Sequence, residues 1–303
     1  MQLRQVAIAY KESDRVSKAV CERCAEALRA RHITVLTAPT GMQHNPYPVF
    51  LEAVEQPLDL AIVLGGDGST LAAARHLSPY GVPILSIKAG GHLGFLAQSV
   101  RVLEDAPWDR LVEDDFSLQS RMMLRARILN VDGNAQSDDF FCLNEICVKP
   151  VTQARLPASL LEIEVDGEIV DQYHGDGLLV ATPTGTTSYT VAASGPIIAP
   201  GLEAITITPI CPLSLASRPI VIGGQSRVQI WPLADGDGLT RLWTDGLLAR
   251  SVNPGENVEV QRADCSAQFV MLERGVSYFR TLREKLQWAG TRIHIPTDNH
   301  RVE

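Results

Sequence analysis

The sequence predicts an α/β domain built on a parallel sheet, then a mostly antiparallel β-rich domain, then a C-terminal helix that returns to the first domain. Three observations carry this. Short apolar runs alternate with amphipathic ones over the first third of the chain, the βαβα order of a doubly wound sheet. Near Phe116 the apolar period falls from 3.6 residues to two. A helical period then resumes near the C-terminus. The expected domains are residues 1–116 together with 277–303, and residues 117–276.

In chain order, Val6–Ala9 reads as a strand, about 14–31 as a helix, and Ile33–Thr37 as a second strand. Leu58–Leu64 is apolar at every position but Asp59, as a strand covered on both faces should be. Ser69–Leu77 is helical, and Val82–Ile87 is a strand running into a second glycine turn, Gly90–Gly94. Such a sheet gathers ligands at the carboxyl ends of its strands. Beyond Phe116, Leu124, Ala126 and Ile128 alternate with Arg125 and Arg127. Asp166-Gly167 between Ile163/Val165 and Ile169/Val170 is a two-residue hairpin signal. Val221–Ile230 and Val258–Val260 are further expected strands. Tyr278, Phe279, Leu282 and Leu286 form a helical stripe, which one helix cannot bury alone.

The 303 residues are 45% hydrophobic and 20% charged, and the length is ample for a sizeable core. A formal charge of -8 argues against a nucleic-acid surface, which needs a clustered basic excess. No apolar run is long enough to span a bilayer, and the first residues read as a strand rather than an export segment, so the expected compartment is the cytoplasm. Six cysteines fit that compartment. The Cys21/Cys24 pair lies inside a helical pattern with no second pair to complete a zinc site. Cys142, Cys147, Cys211 and Cys265 read as core residues.

Three clusters carry the chemistry. Gly65-Gly66-Asp67-Gly68-Ser69-Thr70 follows an apolar strand and opens a helix, where free amides favour anions. It is neither a Walker loop nor a dinucleotide fingerprint. Asp67 would repel a phosphate that was merely cradled. It makes sense if it meets phosphate through a metal or takes a proton from an attacking hydroxyl; the alternative is a plain turn residue. The second cluster is Asp176-Gly177, a strand, and Thr182-Pro183-Thr184-Gly185-Thr186-Thr187-Ser188-Tyr189, with six hydroxyls in its last eight residues. It reads either as a loop gripping a polar ligand, with Tyr189 as a stacking ring, or as a turn with helix-capping threonines. The third is Asn144-Glu145 inside an apolar run. One of the pair faces an interior, so the carboxylate needs a hydrogen-bond, metal or ligand partner. A ribose diol suits it, and a structural salt bridge is the other reading.

Together these clusters resemble the NAD kinase family. Gly65-Gly66-Asp67-Gly68 is similar to a signature shared with diacylglycerol-type lipid kinases. The stretch from Asp176 to Pro200 is more specific to NAD kinases, and Asn144-Glu145 matches the family's Asn-Glu motif. His92–Leu96, Arg121–Leu124 and Tyr278-Phe279…Leu282-Arg283 match further positions, so the resemblance runs from Val6 to Trp288. It implies phosphoryl transfer from ATP to the adenosine-ribose 2′-hydroxyl of NAD⁺, with Asp67 as the acid-base residue. Gly65, Gly66, Gly68 and Ser69 would face the phosphates. Asn144 and Glu145 would hold NAD hydroxyls, with Asp176 near the nicotinamide amide. Thr187, Ser188 and Tyr189 would contact the nucleotide, and Arg155 and His174 fall at ligand-side positions. The resemblance also implies a divalent metal, Mg²⁺, and a homodimer or homotetramer. Lys88, Leu213 and Leu247 stand where the family more often has Asn, His and Gln. The competing readings are a lipid kinase with the same loop, for which no membrane anchor is visible, and a non-catalytic NAD(P) sensor.

Overall fold

Leu60–Leu64 is buried at all five positions because helices cover both faces of the sheet it centres. The structure is a computed structural model that describes residues 1–41, 45–54, 56–90, 94–151, 159–233, 239–275 and 277–288. In chain order the first domain runs β1 (Gln5–Lys11), α1 (Arg15–Arg29), β2 (Thr34–Thr40), α2 (Tyr47–Glu52), β3 (Leu60–Leu64), α3 (Asp67–Leu77), β4 (Ile84–Lys88), β5 (Gln98–Ser99) and α4 (Pro107–Val112). β1 pairs in parallel with β2 and β3, and β3 with β4. Asp14 caps α1, accepting hydrogen bonds from the Val16 amide at 3.0 Å and the Ser17 hydroxyl at 2.7 Å. One face of the sheet packs on Val20, Cys24 and Leu28 of α1 and on Trp108 and Leu111 of α4. The other packs on Tyr47 and Phe50 of α2 and on Ala73, Ala74 and Leu77 of α3.

The remaining elements are β6 (Ser117–Asn130), β7 (Phe140–Cys142), β8 (Glu145–Val151), β9 (Ser159–Val165), β10 (Glu168–Gly175), β11 (Gly177–Ala181), α5 (Tyr189–Ala192), β12 (Ala204–Ile210), β13 (Ile220–Gly223), β14 (Val228–Pro232), β15 (Leu239–Thr244), β16 (Leu247–Val252), β17 (Glu256–Met271) and α6 (Tyr278–Lys285). The α/β first half and antiparallel second half are as the change of period predicts. Asp166 (φ 53°) and Gly167 (φ 89°) form the expected hairpin turn between β9 and β10.

The two halves are not separate sheets. β17 pairs in parallel with β4 at Phe269–Ile84 and antiparallel with β14 at Val228–Val260. One sheet therefore runs β10-β9-β14-β17-β4-β3-β1-β2, with β6 alongside β17. A six-stranded antiparallel sheet, β13-β12-β11-β8-β15-β16, packs on the β-rich part of it. Ile146, Val148, Leu178 and Val180 of the second sheet meet Ile163, Ile230 and Val258 of the first there.

Two expectations are corrected. Val221–Ile230 is not one strand: β13 and β14 belong to different sheets, parted at Gly223-Gly224-Gln225-Ser226, where the Ser226 amide donates to the Gly223 carbonyl at 3.1 Å. Two glycines have no side chains to pack and favour a turn over a continuing strand. Cys211 is exposed rather than core, since it takes φ 45° where the chain turns after β12. The other described cysteines are buried or half-buried, and burial pushes the Cys21 and Cys24 thiols up to about 11 and about 12. Thiolate, the metal-binding form, is therefore disfavoured in that pair. Among the described residues no helix is long and apolar enough to cross a membrane.

Candidate active site

β3 ends at Leu64 and α3 begins at Asp67, two residues earlier than the apolar period alone suggests. Gly66 is the N-cap and offers no side-chain acceptor, so the first-turn amides of α3 lack a side-chain cap. Ser69 packs under Gly65, where a Cβ would come within 2.6 Å of its hydroxyl. The Ser69 carbonyl accepts from the Tyr47 hydroxyl at 3.2 Å. The Thr70 hydroxyl bonds the Gly66 carbonyl at 3.1 Å and Ser86 at 2.6 Å, fixing the turn from beneath. A Cβ on Gly68 would meet nothing within 4 Å, and the Lys88 ammonium lies beside Gly66, 3.2 Å from where its Cβ would stand. The turn thus offers free amides, room for a ligand and a cation.

The Asp67 carboxylate accepts the Phe95 amide at 2.9 Å and the Leu96 amide at 3.2 Å. A Cβ on Gly94 would overlap that carboxylate, so glycine is what lets the second turn close on it. Phe95 and Leu96 in turn line a cavity of about 240 Å³ shared with Arg121, Thr184, Thr187 and Tyr278. The Arg121 guanidinium donates to Gln119 at 3.0 Å, and burial lowers its pKa while Tyr278 opposes that shift. Tyr278, Arg280 and Thr281 of α6 line this cavity together with residues 94–98, and the Tyr278 hydroxyl donates to the Ile198 carbonyl at 3.4 Å.

Asn144 and Glu145 are both buried at the start of β8. Glu145 accepts from the Ser188 hydroxyl at 3.4 Å through one oxygen, while Oε2 has no hydrogen-bond partner among the described residues. Burial, then the neighbouring Asp245 charge, raise its pKa to about 8 against the pull of Ser188 and the Tyr189 amide. Near neutral pH the carboxyl is therefore mostly protonated and can both donate to and accept from a hydroxyl.

The hydroxyl-rich loop divides its labour. Thr182 donates to the Leu143 carbonyl at 2.6 Å, and Thr186 donates to the Pro183 carbonyl at 2.6 Å while accepting the Ile198 amide at 3.0 Å. Thr187 donates to the Thr184 carbonyl at 3.2 Å, and all three hold the loop's shape. A Cβ on Gly185 would overlap the Asn144 carbonyl, so the loop lies flat on the Asn-Glu segment. Thr187 shares the cavity wall, Ser188 meets Glu145, and the Tyr189 hydroxyl accepts from the Lys149 ammonium at 3.3 Å.

Among known proteins, the profile of the ATP-NAD kinase N-terminal domain matches residues 6–116, and that of the ATP-NAD kinase C-terminal domain matches 143–272. The chain belongs to the ATP-NAD kinase family. It is 53% identical to NAD kinase 1 of Thermosynechococcus vestitus, covering 99% of this chain and 100% of that one. It is 54% identical to NAD kinase 1 of Synechocystis sp., covering 99% of each. Its fold is similar to that of yeast NADH kinase complexed with NADH, with TM-score 0.82 over 97% of this chain and 90% of that one at 22% identity. It is also similar to an NAD kinase from Archaeoglobus fulgidus in complex with ATP, with TM-score 0.69 over 93% and 98% at 25% identity.

Set against the residues the NAD kinase resemblance names, the structure brings some together and leaves others apart. Asp67, Thr187, Ser188, Asn144 and Glu145 converge through Phe95–Leu96, the cavity and the flat loop. His174 and Asp176 are exposed at the other end of β11, where Ala181, not Asp176, lies opposite Glu145. At about 3.4 Å per residue, Asp176 lies about 17 Å along the strand from Ala181. Arg155 lies outside the described residues, as do His92 and Leu93. Sequence reasoning missed Asp245 and Arg75, which hold the Asn-Glu segment from behind, because the partners are 170 residues apart. The available signal was Asp245-Gly246, a hairpin turn pair like Asp166-Gly167.

Proposed function

We infer that the chain transfers the terminal phosphoryl group of ATP to the adenosine-ribose 2′-hydroxyl of NAD⁺, giving NADP⁺. Family membership supports the activity. The observation that supports the assignment of roles is the place of Asp67, between the uncapped amides of α3 and the cavity behind Phe95 and Leu96. In this reading residues 1–116 with 277–303 serve mainly the donor, and 117–276 mainly hold NAD.

ATP lies along Gly65, Gly66, Gly68 and Ser69, its phosphates on first-turn amides and beside the Lys88 ammonium. Asn144 and Glu145 hold ribose hydroxyls, with the free Glu145 oxygen as one ligand. The adenosine end takes the cavity lined by Thr184, Thr187 and Phe95. Asp67, kept in place by two amides, orients the 2′-hydroxyl and accepts its proton as the phosphoryl group moves in line. Among the described residues no three His, Cys, Asp or Glu side chains gather into a metal cage. The donor set at the turn, one carboxylate beside a phosphate site, fits a divalent cation held largely by phosphate and water. Bound so, Mg²⁺ would supply neutralisation of phosphate charge, with Asp67 as its protein neighbour.

We assign Asp176 and His174 to the site of a neighbouring copy, since both are exposed and Asp176 lies about 17 Å along β11 from the residue paired with Glu145. Leu213, Leu215 and Leu247, all exposed, would then lie against a second chain of a homodimer or homotetramer. Sedimentation showing only monomer at assay concentration would remove that part. Thiols held as free cysteines suit a reducing cytoplasm. The direct assay is purified protein with NAD⁺ or NADH, ATP and Mg²⁺, scored for the phosphorylated dinucleotide. Absence of product with every pairing would refute the function.

A further inference from the structure

The Asp245 carboxylate is fully buried, yet it serves four donors. One oxygen accepts the Asn144 amide at 2.7 Å and the Glu145 amide at 3.3 Å; the other accepts the Leu143 amide at 3.2 Å and the Arg75 guanidinium at 3.0 Å. Its own amide returns a bond to the Glu145 carbonyl at 3.0 Å. This is not sheet pairing, because the carboxylate replaces a backbone carbonyl as the acceptor for three successive amides. Asp245 can reach them because it sits in the turn between β15 and β16 with φ 46°, followed by Gly246 with φ 79°. Burial raises the Asp245 carboxyl, while Arg75 and the amides of Asn144 and Leu143 oppose the rise. Four donors and no competing acceptor suit the charged form.

Arg75 lies on α3, eight residues after Asp67 in the same rigid helix, and its side chain is 11% exposed. The ion pair therefore ties the helix that begins with Asp67 to the segment that ends with Asn144-Glu145. From the front, Gly185 and Thr182 press the same segment. A buried ion pair is a poor device for stability alone, since desolvation offsets most of the attraction.

We propose that Asp245 and Arg75 are positioning residues, a clasp that sets Asn144-Glu145 at a fixed distance and orientation from Asp67. The inference rests on the roles given above to Asp67 and Asn144-Glu145. Releasing the clasp lets the acceptor hydroxyl drift from the carboxylate that orients it, and a displacement of about 1 Å can cost about a hundredfold in rate.

The test compares wild type with Asp245→Asn, Arg75→Met and Arg75→Lys, each measured for kcat, for KM of ATP and NAD⁺, and for thermal midpoint. Arg75→Met is expected to lower kcat about a hundredfold with the KM for ATP little changed, and Arg75→Lys to recover most of the loss. Asp245→Asn is expected to lower kcat and raise the KM for NAD⁺ together. Added to Asp67→Asn, either clasp variant should cost little more, because the group being positioned is already gone. The Arg75 variants leave the three amide bonds of Asp245 in place, so they decide the matter even where Asp245→Asn does not fold. Variants with a lowered midpoint but full kcat per folded molecule would overturn the clasp while leaving the kinase reading intact. A wild type that phosphorylates no dinucleotide would overturn both.

Discussion

At the scale of the residue, environment rather than identity decides what each carboxyl does. Asp67 accepts two amides at a helix start, Asp245 is buried among four donors, and Glu145 is buried with one oxygen unpartnered. Glu145 yields a pH prediction. Its folded pKa is about 8 against an ordinary 4.5, so between those values the folded protein keeps a proton that the unfolded chain releases. The stabilising contribution is complete below about 4.5 and is lost as pH rises through 8, by about 1.4 kcal/mol per pH unit in that window. Urea midpoints measured from pH 5 to pH 8 without ligand should show this slope, and Glu145→Gln should flatten it. Equal slopes in both proteins would contradict the assignment. Lys88 gives a second test. Its ammonium lies beside Gly66 at the donor side, and a charged hydrogen bond contributes about 1.5–3 kcal/mol. Lys88→Ala should therefore raise the KM for ATP at least about tenfold while the KM for NAD⁺ stays near wild type; a change confined to NAD⁺ would place Lys88 elsewhere.

At the scale of the element, close approach does much of the positioning. The Thr182–Tyr189 loop reaches the Asn-Glu segment only because Gly185 has no side chain. Gly185→Ala should force the loop off Asn144, lower stability by about 1–3 kcal/mol and weaken NAD⁺ binding. Calorimetric titration of a folded Gly185→Ala protein with unchanged affinity would show that the contact is packing alone. The sequence made this loop visible through its hydroxyls but not its division of labour. Thr182, Thr186 and Thr187 spend theirs on backbone carbonyls, Thr187 while also lining the cavity, and only Ser188 of this group gives its hydroxyl to Glu145. Composition cannot separate those groups, because the separation comes from which carbonyls the fold brings near. The Asp166-Gly167 turn, by contrast, was legible because two residues of local conformation decide it. Val221–Ile230 misled because a run of β-forming residues does not say which sheet each half joins.

At the scale of the whole molecule, apolar period revealed an α/β half and a β half but not that β17 makes their strands one sheet. A 16-residue strand with neighbours of both halves depends on pairings far apart in sequence. The same non-locality hid the Arg75–Asp245 clasp, although the glycine-aspartate turn and the Asn-Glu pair it joins both stood out. The continuous sheet and the clasp give the two halves a fixed relation, with the donor turn on one and the NAD-holding segment on the other. The central claim is that Asp67 serves the transfer while the second half holds the dinucleotide. The most direct measurement pairs a calorimetric NAD⁺ titration with a turnover assay on Asp67→Asn. The account predicts NAD⁺ affinity near wild type and a rate of NADP⁺ formation lower by about 10²–10⁴-fold. Turnover retained at the wild-type rate would contradict it.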